Sequence, residues 1–174
     1  MPQRTDSFDL GRLHLTPGQG RRLELHAHVD DLLLSGQAYP IGPDPLPVTL
    51  DVARMTGGGW SLRLRFTARA TGPCMRCLED ADASMAIDAR EIDQPGGGED
   101  LRSPYLHGDE LDVHAWARDA LALALPTQII CREECLGLCP ECGANLNEAG
   151  PDHRHERAPD RRWAKLRELG DRVR

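Results

Sequence analysis

The chain has 174 residues, with 21 Lys and Arg against 28 Asp and Glu and a formal net charge of −7. That length suits one domain, or one domain with a small appendage, and the acid excess excludes wholesale nucleic-acid binding by a uniformly basic surface. No apolar stretch follows Met1-Pro2-Gln3-Arg4 and no apolar run approaches the ~18 residues of a membrane span, so a cytoplasmic protein with no membrane partner is expected. In that reducing setting the six cysteines point to metal binding or redox chemistry rather than to disulfides.

Charge is uneven along the chain. Residues 1–73 hold 8 basic and 7 acidic residues, 74–130 hold 4 and 12, and 131–174 hold 9 and 9. The middle is acidic, and residues 154–174, with 8 basic and 4 acidic groups, form the basic stretch.

The first half reads as strands. Leu23, Leu25, Ala27 and Val29 alternate with polar residues, as do Val48, Leu50 and Val52, which is the period of a strand with one buried face. On that reading His26 and His28 face solvent. Gly57-Gly58-Gly59 supplies a turn, after which Leu62, Leu64, Phe66, Ala68 and Ala70 alternate with Ser61, Arg63, Arg65, Thr67 and Arg69. Ala81, Ala83, Met85, Ile87 and Ala89 continue the pattern.

The stretch from Gln94 to Glu110 has no period and reads as a surface loop. A helix near 112–125 follows, capped by Asp109 or Asp112 and stopped by Pro126. Its Val113, Trp116, Ala117, Ala120, Leu121 and Ala124 make one apolar stripe for packing on a sheet. Residues from about Pro159 to Leu169 read as a short helix with Trp163 and Leu166 on one edge. The expected fold is α+β: a mainly antiparallel β-sheet, as a meander or open barrel, with one packed helix and a carboxy-terminal zinc-knuckle module. The expected division is a β-rich domain over 1–126 and a cysteine-rich module with a basic helix over 127–174, or both integrated as one domain.

The cysteines form two clusters. Cys74-Met-Arg-Cys77 sits in the break between two strand-like segments. Cys131, Cys135, Cys139 and Cys142 follow later, the last pair as Cys-Pro-Glu-Cys-Gly. Two residues between cysteines let a tight turn aim both sulfurs at one point, and a tetrahedral cation needs two such arms. His153 and His155 bring the donors to eight, enough for two closed sites. The preferred partition is Cys74, Cys77, Cys131 and Cys135 in one, and Cys139, Cys142, His153 and His155 in the other. A solvated His-Arg-His loop is the alternative for the histidines. A filled coordination sphere leaves no position for an activated water, which disfavours catalysis at either site. No phosphate-cradling glycine loop or Ser/His/Asp arrangement supports an enzyme with a small-molecule substrate. The runner-up is an iron- or thiol-based redox or electron-transfer protein.

The string Cys74-Met-Arg-Cys77-Leu-Glu after a strand resembles the bacterial YceD family, the large ribosomal RNA subunit accumulation proteins. So do the helix ending in Leu-Ala-Leu-Pro126, the Gly137-Leu-Cys-Pro-Glu-Cys-Gly-Ala-Asn145-Leu-Asn147 run and Pro159-Asp-Arg-Arg-Trp163-Ala-Lys-Leu166. The likeness runs from about Gly57 to Leu169. It implies a non-enzymatic bacterial cytoplasmic factor needed for 23S ribosomal RNA accumulation and large-subunit biogenesis. Many members of that family carry Cys-x-Cys after Asn-Leu-Asn, where this chain has His153-Arg-His155.

Arg154, Arg157, Arg161, Arg162, Lys165 and Arg167 beside the knuckle are candidate RNA contacts, with an ordinary solvated face as the alternative. Trp163 is either a base-stacking platform or an anchor to the domain. Acidic residues from Asp82 to Asp112 suit a basic large-subunit ribosomal protein instead.

Overall fold

The structure is a computed structural model that describes residues 5–150 and 152–155. Contacts divide the chain into two units, Met1–Cys135 and Leu136–Arg174. In the first unit the strands are β1 (Ser7–Asp9), β2 (Gly20–Ala27), β3 (Leu32–Leu34), β4 (Gln37–Tyr39), β5 (Ile41–Gly42), β6 (Leu46–Arg54), β7 (Trp60–Pro73), β8 (Asp80–Asp93), β9 (Leu106–His107) and β10 (Glu110–Asp112). They are followed by helix α1 (Val113–Ala124).

The main sheet is antiparallel. Consecutive strands β6, β7 and β8 form a meander, β2 pairs with β6, and the short β5 pairs with the far half of β7. The period-2 pattern decides which face is dry. Leu62, Leu64, Phe66, Ala68 and Ala70 of β7 are buried with Val48, Leu50 and Val52 of β6 and Met85 and Ile87 of β8. Arginines occupy the other face and are held across strands: Asp51 accepts from Arg22 Nε at 2.6 Å and Arg65 Nη2 at 2.8 Å, and Asp88 accepts from Arg63 Nε at 2.7 Å. The β6–β7 turn needs glycine at position 59, where φ is +84° and a Cβ would collide with the Asp93 carbonyl oxygen.

Helix α1 covers the dry face, burying Val113, Trp116, Ala117, Ala120 and Leu121 as the stripe requires. Its amino end is capped by Asp112, whose carboxylate accepts from Ala115 N–H at 2.8 Å. Tyr105 stacks on Trp116, and its hydroxyl donates to Asp119 at 3.2 Å.

Three features differ from the sequence reading. The 94–110 stretch contains a 3₁₀ turn (Glu99–Leu101), β9 and the start of β10, which forms a small sheet with β1 and β9. Buried Asp93 fastens that stretch, accepting from Ser103 N–H and Arg102 Nε, each at 3.1 Å. His28 does not face open solvent: its side chain is 19% exposed, and its ring meets Asp44 at 2.9 Å and Asp30 at 3.3 Å. The ring also stacks on that of His114, so the alternation ends where β2 leaves the sheet. The helix expected from Pro159 to Leu169 lies outside the described residues.

Candidate metal centres

The first cluster sits at the turn of the longest hairpin. β7 and β8 pair over fourteen residues, from Trp60 opposite Asp93 to Pro73 opposite Asp80. The ladder ends where Cys74 N–H donates to the Glu79 carbonyl at 2.6 Å and Leu78 N–H returns to the Cys74 carbonyl at 3.0 Å. Leu78 takes a left-handed φ of +65° to close that turn.

A second chain segment is drawn to the same place. Met75 N–H donates to the Ile129 carbonyl at 2.8 Å, and Arg76 donates to Gln128 Oε1 at 2.9 Å and to the Cys135 carbonyl at 3.2 Å. Cys131 and Cys135 thereby meet the hairpin turn. Cys74 Sγ lies 3.8 Å from Cys135 Sγ, and Cys77 Sγ lies 3.6 Å from Cys131 Sγ. Four sulfurs at ~2.3 Å around a tetrahedral zinc stand about 3.8 Å apart, whereas a disulfide brings them to ~2.05 Å. The spacing is that of a ligand cage, and all four are free thiols.

The electrostatics suit metal binding too. Burial pushes the Cys74 thiol up, but N–H groups of Arg76, Cys77 and Cys131, with the Cys77 thiol, outweigh it and bring it down to about 6. Burial and the neighbouring thiols push Cys77 up to about 12 and raise Cys131, because a second thiolate beside the first is opposed unless a cation is shared. A divalent cation removes that opposition.

The second cluster lies within Leu136–Arg174. Cys139 N–H donates to the Ala144 carbonyl and Gly143 N–H to the Cys139 carbonyl, each at 2.8 Å, and Gly143 supplies the φ of +73° that this turn requires. Cys142 Sγ is 3.5 Å from His153 Nε2, which is 3.0 Å from His155 Nε2. N–H groups of Cys142 and Glu141, with the His153 ring, bring the Cys139 thiol down to about 6.

The structure thus brings Cys74, Cys77, Cys131 and Cys135 into one group and Cys139, Cys142, His153 and His155 into another, with the donor atoms of each group within 4.8 Å of one another. Both groups could hold metal ions. They differ in shelter: three of the first four are buried, whereas only Cys139 is buried in the second.

Asn145 and Asn147 fasten the second cluster's loop. Asn147 Oδ1 accepts from Leu136 N–H at 2.9 Å, and Asn145 Oδ1 accepts from Asn147 N–H at 3.1 Å, which fastens the knuckle loop ahead of the four-residue helix α2 (Leu146–Ala149). Asparagine at helix and loop starts is the signal that could have marked them. Of the candidate RNA contacts, Arg154 is exposed; Arg157, Arg161, Arg162, Lys165 and Arg167, like Trp163, lie outside the described residues. Among the described residues no helix is long and apolar enough to cross a membrane.

Fold and clusters together define a β-rich protein with two ligand sets able to hold metal ions. A family model described as large ribosomal RNA subunit accumulation protein YceD matches residues 62–170, a span that includes both clusters and the α1 helix. The chain belongs to that family. It is 34% identical over 108 residues to uncharacterized proteins of Mycobacterium tuberculosis and Mycobacterium bovis, covering 59% of this chain and 51% of theirs. It is 28% identical over 138 residues to the large ribosomal RNA subunit accumulation protein YCED homolog 1, chloroplastic, of Zea mays, covering 59% and 46%. The chain therefore spans about half the length of these relatives. No solved structure matches it.

Proposed function

We propose that this protein is a zinc-stabilised, non-enzymatic cytoplasmic factor that supports 23S ribosomal RNA accumulation during large-subunit biogenesis. Family membership supports the ribosomal part. The observation that carries the zinc part is the four-sulfur cage, in which Cys74 and Cys77 on one hairpin face Cys131 and Cys135 from a distant segment at 3.6–3.8 Å.

Cys74, Cys77, Cys131 and Cys135 would hold one ion, and Cys139, Cys142, His153 and His155 the other. Such a metal supplies folding free energy, typically ~10–16 kcal/mol for structural zinc, and no chemistry of its own, because four protein donors complete its coordination. The backbone N–H groups of Arg76, Cys77 and Cys131 stabilise the Cys74 thiolate. The basic residues Arg154, Arg157, Arg161, Arg162, Lys165 and Arg167 give the otherwise acidic chain a place to meet RNA phosphates.

Two measurements test this reading. Elemental analysis of protein purified without chelator should give two zinc ions per chain; stoichiometric iron would replace it with the redox alternative. In cells lacking the protein, the ratio of large- to small-subunit ribosomal RNA should fall and be restored by the intact chain; an unchanged ratio would remove the ribosomal role.

A further inference from the structure

Glu141 stands inside the Cys139-Pro-Glu-Cys142 turn and reaches the second cluster twice. After that of Cys142, its backbone N–H does most to hold the Cys139 thiol down. Its side chain extends to the histidines, with Oε2 at 3.7 Å from Nδ1 of His155.

The two ring nitrogens of His155 have different neighbours. Nε2 lies 3.0 Å from Nε2 of His153, which in turn lies 3.5 Å from Cys142 Sγ. With zinc ~2.3 Å from sulfur and ~2.0–2.1 Å from nitrogen, tetrahedral geometry sets a sulfur and a nitrogen about 3.5 Å apart and two nitrogens about 3.3 Å apart. The observed distances mark Nε2 as the metal-facing nitrogen of both histidines. Nδ1 of His155 is on the other side of the ring, where it meets the carboxylate. Glu141 therefore stands outside the donor set, which is Cys139, Cys142, His153 and His155 with their donor atoms within 4.8 Å of one another.

An imidazole binds a metal only through a nitrogen that carries no proton, and the bond made by the other nitrogen decides which one that is. A carboxylate at Nδ1 keeps the proton there and leaves the Nε2 lone pair for the ion. A cation on Nε2 polarises the ring in return and strengthens Nδ1–H as a donor. The separation is that of an ion pair rather than a hydrogen bond, and the two side chains are 32% and 36% exposed. The effect on metal affinity therefore belongs at the low end of the roughly ten- to hundredfold typical of such carboxylates.

We propose that Glu141 is a positioning residue of the second metal centre: its carboxylate takes the Nδ1–H of His155 and fixes the tautomer and ring orientation that turn Nε2 toward a divalent cation. This rests on the metal reading of the Cys139 cluster and adds to it a residue that does not bind the ion itself.

The test uses the full chain, isotopically labelled and loaded with zinc. In the unaltered protein, long-range proton–nitrogen correlation should show His155 protonated on Nδ1 and metal-bound through Nε2. Glu141→Ala keeps the backbone N–H on Cys139, and chelator competition should show the second centre about tenfold weaker in that variant. Glu141→Gln retains an acceptor oxygen and should fall between the two. Alkylation of Cys139 and Cys142, with Cys74 and Cys77 still protected, assigns the loss to that centre. The His155 signal of the alanine variant should become a mixture of forms bound through either nitrogen, whereas a residue that only shaped the loop would leave the tautomer unchanged. His155 bound through Nδ1 in the unaltered protein, or equal zinc affinity in the alanine variant, would overturn the proposal and leave the metal reading standing. A chain that loads only the Cys74 cage would overturn both for the second cluster. The tautomer of the unaltered protein decides the matter even where a variant fails to fold.

Discussion

Cys77 Sγ stands 3.6 Å from Cys131 Sγ although 54 residues separate them. The hairpin turn and the segment after α1 meet there through the thiols, through Met75 N–H on the carbonyl of buried Ile129, and through Arg76 on Gln128 and the Cys135 carbonyl. Cys77→Ser is expected to lose one metal ion per chain, leave the Cys139 cluster loaded, and expose Cys131 and Cys135 to alkylation. Elemental analysis with thiol titration checks this; unchanged metal content would show that Cys77 is not a ligand.

Metal uptake should also release protons. Cys77 and Cys131 have raised pKa values, so both are protonated at neutral pH before a cation binds. Zinc added to chelator-stripped protein in weak buffer should acidify it, and the apparent affinity should fall as pH is lowered. A pH-independent affinity would contradict thiolate ligation.

The ion pairs on the wet face predict a second pH dependence with its own sign. The Arg22 guanidinium, bonded to Asp51 and reinforced by Arg65, holds that carboxyl below its ordinary value of 3.8. A depressed folded-state pKa contributes stability above the unfolded value, and this is lost as pH falls through the folded value. Asp51→Asn should therefore lower the denaturation midpoint at neutral pH, and the gap to the unaltered protein should close in strong acid. A gap that persists there would mean that the substitution acts through packing.

Trp116 is 2% exposed and lies between α1 and the sheet, with Tyr105 stacked on it. Trp116→Ala should cost about 3–5 kcal/mol in chemical denaturation. Asp112→Ala removes the helix cap from the same element and should cost about 0.5–2 kcal/mol. A larger loss at Asp112 than at Trp116 would mean that the helix is held by its end rather than by its stripe.

Legibility in the sequence follows from how local each determinant is. The β7 alternation and the α1 stripe are set by neighbours within a few residues, and both appear in the structure where the pattern places them. The pairing of Cys74 with Cys77 and of Cys139 with Cys142 is readable because a Cys-x-x-Cys turn aims its sulfurs whatever surrounds it, whereas Cys131 and Cys135, with three residues between them, are brought to the first pair by the bonds of Met75 and Arg76 to the 128–135 segment. By contrast, β1 is three residues long and pairs with β10 about a hundred residues away, opposite Asp112 and Leu111. No period can show in so short a strand. The confinement of His28 by Asp44, Asp30 and His114 was hidden for the same reason, since its partners come from separate turns and a helix.

The hairpin that carries Cys74 and Cys77 is complete once Asp93 has left the ribosome during the chain's own synthesis, yet the first cage still needs Cys131 and Cys135. All four sulfurs could hold an ion only once the whole of the first unit has been made. Metal capture there would therefore act as a timer: it would lock the tip of the hairpin only after α1 is available to cover the sheet, so a truncated chain ending before Cys131 would present the turn with its thiols open.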